Sequence, residues 1–162
     1  QRGATERDHF GVRGDSKLFD TVLMGRSTYE VGLKEGITSP YPHLRQYVFS
    51  GSMGESLDPA VTVVSGDPIA EVRRLKAETP SRAKRGSGGS RAESIWLCGG
   101  GKLASAIHSE IDELVLKIHP VVIGAGIPLF ANAVQPMQLE LLESRSYPDG
   151  FVRAHYRRST TR

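Results

Sequence analysis

A chain of 162 residues that is 38% hydrophobic and 24% charged can bury one sizeable core but not two independent ones, which excludes a disordered polypeptide and predicts a single domain over residues 1–162. Its 21 Lys and Arg against 18 Asp and Glu leave a net charge of +3, and the bases are scattered among acids rather than gathered in one aromatic-studded stripe, so nucleic acid is not an expected partner. The lone Cys98 rules out an internal disulfide, the five histidines have no metal-ligand spacing, and no apolar run nears the roughly 18 residues of a membrane span; a cytoplasmic protein without metal or membrane partner is expected.

The first strand is read over Phe19–Met24, ending at Gly25. A helix follows at once, with Ser27 and Glu30 spaced as a reciprocal capping box. Short apolar strands are predicted at Gln46–Ser50 and Val61–Val64. Asp67-Pro68 then supplies an N-cap and a first helical residue, and Ile69, Val72 and Leu75 form one apolar stripe on a helix reaching about Glu78. Residues Thr79–Ser94, with Pro80, several serines and Gly86-Ser87-Gly88-Gly89-Ser90, read as a flexible loop; the basic run Ser81–Arg85 within it reads as solvated.

Ile95–Cys98 is the next strand, followed by Gly99-Gly100-Gly101 and a helix over Lys102–Ile107. A strand over Glu113–Val122 precedes a hairpin in which Gln138–Ser146 pairs with Phe151–Arg158 across Tyr147-Pro148-Asp149-Gly150. Strands alternating with helices imply parallel βαβ units with helices on both faces, and such sheets bind ligands at the carboxyl ends of their strands. Both glycine turns sit at such ends.

Gly99-Gly100-Gly101 lets backbone approach a phosphate, with Lys102 adding positive charge. Gly25-Arg26-Ser27-Thr28 repeats the arrangement with a guanidinium and two hydroxyls. Alone, each also reads as a tight turn or a helix cap; a ligand carrying several phosphates explains the two glycine turns together. Ser50-Gly51-Ser52 offers hydroxyl donors and open backbone at the same edge of the sheet, and reads equally as an ordinary turn.

Gly25–Glu30, Val48-Phe49-Ser50 and Leu97–Leu103 resemble, in order, the three NADPH-binding segments of the dihydrofolate-reductase superfamily. His119–Phe130 resembles a segment of its riboflavin-biosynthesis branch, the reductase domain of the bifunctional deaminase-reductase. The resemblance spans about Phe19 to Tyr156. It implies a three-layer α/β fold with a mostly parallel central sheet, helices on both faces and a C-terminal antiparallel hairpin. It also implies NADPH as cofactor, held by Gly25, Arg26, Ser27, Thr28, Ser50, Gly51, Cys98, Gly99, Gly100, Gly101, Lys102 and Leu103, with Ser50 beside Arg26 or Lys102 at the 2′-phosphate. Gly126, Pro128, Leu129 and Phe130 are the candidate contacts for nicotinamide and substrate.

The implied activity is hydride transfer from NADPH to a small pteridine- or aminopyrimidine-type heterocycle, as in 5-amino-6-(5-phosphoribosylamino)uracil reductase. The alternatives are dihydrofolate reduction and nucleotide binding without turnover. A homodimer through the C-terminal hairpin or an edge strand is compatible with the resemblance. No catalytic residue is assigned: Asp8, Asp15 and Asp20 are candidate acids that more simply read as solvated, and Cys98 reads as a buried strand residue. One departure stands out. Members of the family begin with an apolar central strand and an Asp-Gly loop, whereas Gln1–Asp15 is polar, so a central sheet position is expected to stay unpaired unless that strand comes from elsewhere.

Overall fold

Val22, Leu23 and Met24 are consecutive and fully buried, which requires a strand covered on both faces. That strand is β1 (Thr21–Gly25), and the computed structural model, which describes residues 18–78 and 94–159, builds its two covering layers from the flanking helices. It is followed by α1 (Arg26–Lys34), β2 (Arg45–Phe49), β3 (Val61–Val64), α2 (Pro68–Glu78), β4 (Ile95–Gly99) and α3 (Gly101–Ala106). A 3-10 turn (His108–Glu110) then leads to β5 (Glu113–Ile118), β6 (Leu139–Ser146) and β7 (Val152–Arg158).

Strands β3-β2-β1-β4 form a four-stranded sheet in which every pair is parallel. Alternation along the strands sends Val22, Met24 and Val48 to one face, where they meet Tyr29 and Leu33 of α1 together with Leu44 and Val61. Leu23 points to the other face and packs with Val72 and Leu75 of α2 and with Leu103 and Ile107 at α3. The three layers and the helices on both faces are as expected. The antiparallel part is larger than the expected hairpin: β5 joins it, and β5-β7-β6 form a sheet separate from the parallel one.

Local chemistry explains most element ends. Asp67 caps α2 as expected, its carboxylate accepting from the Ile69 N–H at 2.9 Å. Gly36, at φ +75°, stops α1: its N–H reaches the Leu33 carbonyl at 3.0 Å and the Ile37 N–H reaches that of Gly32 at 2.9 Å, a left-handed C-terminal cap suited to glycine. The expected capping box at α1 is not formed. The helix starts at Arg26 with Gly25 as N-cap, so Ser27 already lies inside the first turn, and the Glu30 carboxylate turns to the Arg26 guanidinium at 2.6 Å instead. The strand read over Glu113–Val122 stops at Ile118, shortly before Pro120, whose ring cannot donate to a ladder.

Among the described residues β4 and β5 each have a strand on one side only, and all five residues of β4 are only half-buried, whereas β1, paired on both sides, is buried over Thr21–Met24. The polar start Gln1–Asp15 and the loop predicted over Thr79–Ser94, all but Ser94, with its basic run, lie outside the described residues.

Leu75 is fully buried between α2 and the parallel sheet. Leu75→Ala is expected to lower unfolding stability by about 2–5 kcal/mol, read as a reduced denaturant midpoint in circular dichroism.

Candidate functional site

The parallel order β2-β1-β4 places three chemically distinctive segments at the same edge of the sheet, because parallel neighbours end together. Gly25 is opposite Phe49, the residue before Ser50, and Met24 is opposite Gly99. The two glycine turns therefore meet: a Cβ on Gly25 would lie 3.5 Å from the Gly100 nitrogen, and the Thr28 hydroxyl stands 3.5 Å from the Cβ positions of both Gly99 and Gly100. Gly99 adopts φ +143°, which side-chain-bearing residues rarely do. Around this turn the helix starts of α1 and α3 bring unpaired backbone N–H groups, and Arg26, Ser27, Gly100 and Lys102 are exposed.

The third segment is joined through Arg26. Its Nη1 donates to the Ser52 hydroxyl at 2.7 Å while its Nε is held by Glu30, so the guanidinium bridges α1 and the loop after β2. Ser52, expected as one of the hydroxyl donors of Ser50-Gly51-Ser52 at this edge, thus lies beside Arg26, a pairing that follows from the adjacency of β1 and β2. The Ser50 hydroxyl accepts from the backbone N–H groups of Met53 and Ser52, at 2.9 and 3.3 Å, and shapes that loop while its own proton stays available to donate. Gly51 has open space around it.

The segment Gly126–Phe130 reaches the same place by direct backbone contact. A Cβ on Gly101 would stand 2.6 Å from the Pro128 carbonyl oxygen and 3.3 Å from that of Leu129, and the Ala131 N–H donates to the Gly101 carbonyl at 3.1 Å. Ser105, one turn along α3, fastens the next residue: its hydroxyl donates to the Gly101 carbonyl at 2.9 Å and accepts from the Asn132 N–H at 3.0 Å. Neither Ser105 nor Asn132 was singled out in the sequence, where a helical serine carries no distinguishing signal. Leu129 is 53% exposed and so does not serve the core, and Phe130 is half-buried.

The remaining candidates separate from this cluster. Asp20 lies at the opposite end of β1, where its carboxylate accepts from the Thr21 hydroxyl at 2.7 Å and faces Arg45 at 3.6 Å; Asp8 and Asp15 lie outside the described residues. Cys98 sits inside β4 with its sulfur 3.4 Å from the Tyr41 hydroxyl, and burial pushes its thiol pKa up, partly opposed by that hydrogen bond. A thiol so placed is a poor nucleophile. Leu103 is buried under α3 and supports the turn from below. Among the described residues no group of three or more His, Cys, Asp or Glu could hold a metal, and no helix is long and apolar enough to cross a membrane.

No family model matches the chain. The uncharacterized protein YwjB of Bacillus subtilis (strain 168) is 32% identical over 160 residues, covering 94% of this chain and 84% of YwjB. YyaP of the same organism is 27% identical over 150 residues, covering 85% and 73%. Among solved structures, a Shewanella sp. PV-4 protein named for riboflavin biosynthesis superposes with a TM-score of 0.68 at 23% identity, over 86% of this chain and 74% of that one. The Thermotoga maritima diaminohydroxyphosphoribosylaminopyrimidine deaminase/5-amino-6-(5-phosphoribosylamino)uracil reductase gives 0.63 at 16% identity, over 98% of this chain and 50% of the bifunctional protein.

Two substitutions test the assembly. Gly101→Ala forces a methyl against backbone that cannot swing away, so it is expected to displace Pro128–Ala131 and weaken ligand binding at this edge, whereas Gly66→Ala, in open space away from the named contacts, leaves binding unchanged by calorimetry. Cys98 is expected to react with a thiol reagent more slowly in the folded than in the unfolded chain at pH 8. Because its folded pKa is raised, its contribution to stability is complete below the unfolded thiol pKa and falls away as pH rises through the folded one.

Proposed function

The chain belongs to the family of Bacillus subtilis YwjB and has the dihydrofolate-reductase-type fold seen in riboflavin-pathway reductases, and from that premise we propose that it is an NADPH-dependent reductase of a small aminopyrimidine- or pteridine-type heterocycle. The observation that carries the proposal is the contact of the exposed Pro128–Ala131 backbone with Gly101, which sets a segment suited to a flat heterocycle directly beside a glycine turn suited to phosphates.

The donor set fits a dinucleotide. Glycines at 25, 99 and 100 leave backbone open where a pyrophosphate would lie, and the Thr28 hydroxyl faces that gap. Gly101 and Lys102 open α3 beside it, with the Cys98 strand end behind. Arg26, already fixed toward Ser52, and Ser50 form the pole suited to a 2′-phosphate, since a dianion takes cationic and hydroxyl donors where a bare ribose would prefer a carboxylate. Glu30 neutralises one edge of the Arg26 guanidinium and leaves the other directed at the loop after β2.

When bound, the reduced nicotinamide supplies the hydride. The chain's own contribution is to hold the phosphates, to present the Gly126–Phe130 backbone and the exposed Leu129 side chain to the ring system, and to restrict water on that side. With no covalent intermediate required, positioning carries the rate.

Titration of the whole chain with NADPH and NADH is the direct test. NADPH is expected to bind more tightly, and Arg26→Ala with Lys102→Ala is expected to weaken it by roughly tenfold or more per lost charged contact, at about 1.5–3 kcal/mol each. Oxidation of NADPH that depends on an added aminopyrimidine or dihydrofolate then separates the two substrate classes. Binding without such oxidation identifies a nucleotide-binding protein, and binding of neither nucleotide refutes the cofactor.

A further inference from the structure

Between Ile118 and Leu139 the chain runs without helix or strand, and it is thinly covered: Val122 and Ile127 are 97 and 92% exposed. Among the described residues, the hydrogen bonds that tie this connection to other elements before Gln138 all go to α3. The Ala131 N–H donates to the Gly101 carbonyl at 3.1 Å, and the Asn132 N–H to the Ser105 hydroxyl at 3.0 Å. Ser105 is thus the one side chain, among the described residues, that hydrogen-bonds residues 119–138.

Ser105 is 8% exposed, in a helix whose Leu103 and Ala104 are also buried. At such a position alanine is the better helix former, and a serine bond to the carbonyl four residues back slightly weakens a helix. What the hydroxyl adds lies outside α3: it accepts from the Asn132 N–H and stands 3.5 Å from the Asn132 carbonyl. Removing it takes this partner from the Asn132 N–H and leaves the connection one bond to α3, the main-chain one at Ala131.

We propose that Ser105 is a positioning residue for the heterocycle: through Asn132 it holds the Pro128–Ala131 backbone where the ring system is received, and it takes no part in holding the cofactor phosphates. The inference rests on the reductase reading above. Its selectivity follows from direction. Helix carbonyls point toward the C-terminal end, so the Gly101 carbonyl, onto which both Ser105 and Ala131 attach, points along α3 away from Gly99 and Gly100. Thr28 and the backbone of the two glycine turns, which suit the pyrophosphate, make no bond to Ser105. Loss of the hydroxyl therefore loosens the seat of one reactant and spares that of the other. Positioning of this kind acts on the reacting geometry, where small displacements are costly.

Hydrogen exchange on the whole chain is expected to show the Asn132 amide of Ser105→Ala exchanging about tenfold faster, the worth of one buried hydrogen bond, with the amides of β1 and α2 unchanged. In steady-state oxidation of NADPH with 5-amino-6-(5-phosphoribosylamino)uracil or dihydrofolate, the variant is expected to raise KM for the heterocycle by a similar factor and to leave KM for NADPH within about twofold. A mere loss of folded protein lowers kcat and moves neither KM. Unchanged exchange at Asn132, an unchanged heterocycle KM, or both KM values raised alike overturns the proposal while the reductase reading stands. A wild type that oxidises NADPH with neither heterocycle overturns that reading, and the proposal with it.

Discussion

Gly101 is the point at which the two halves of the site touch, and they touch because it has no side chain. The Pro128 carbonyl occupies the space a Cβ would need, and the Ala131 N–H closes onto the Gly101 carbonyl. The contact is between main chains, so it fixes the 128–131 segment against α3 without depending on a rotamer. Ser105 extends it by one residue, satisfying its own buried hydroxyl between the Gly101 carbonyl and the Asn132 N–H. A site on a loop gains its precision from such attachments to rigid elements.

The rest of the cluster follows from parallel strand order. With β2, β1 and β4 adjacent and ending together, Ser50–Ser52, Gly25–Thr28 and Gly99–Lys102 share one edge although they are far apart in sequence. Residues of the same chemistry at the other end of the sheet are excluded by the same logic. Asp20 opens β1 rather than closing it, and its carboxylate is spent on Thr21 and Arg45.

Much of this was readable in the sequence, for identifiable reasons. β1 and β4 are short apolar runs closed by glycine, Asp67-Pro68 is a strong helix start, and the three motifs come in a fixed order. The capping box at Ser27 does not form because the helix begins two residues earlier, with Gly25 as N-cap, and Arg26 draws Glu30 away from any backbone N–H. Ser105 and Asn132 are not legible in the sequence, because they lie 27 residues apart in the chain and nothing in residue type marks a serine that bridges two segments. The division into two sheets was likewise beyond local pattern: it depends on the β4 and β5 edges having no described strand between them.

That division has an energetic consequence. Neither hydrophobic cluster contains a residue of β5, β6 or β7, and the buried Phe151 and Ala154 stand apart from both. Among the described residues, polar links join the antiparallel part to the helices of the parallel one: Lys76 of α2 to Asp112 at 2.8 Å, and the Ser105 clasp on Asn132. Among the described residues, an opening that parts the two would therefore break these polar links while leaving both hydrophobic clusters whole. The segment that completes the site thus runs toward the antiparallel sheet while its anchor, Gly101, opens α3 on the parallel one, so such an opening pulls directly on the contact between them.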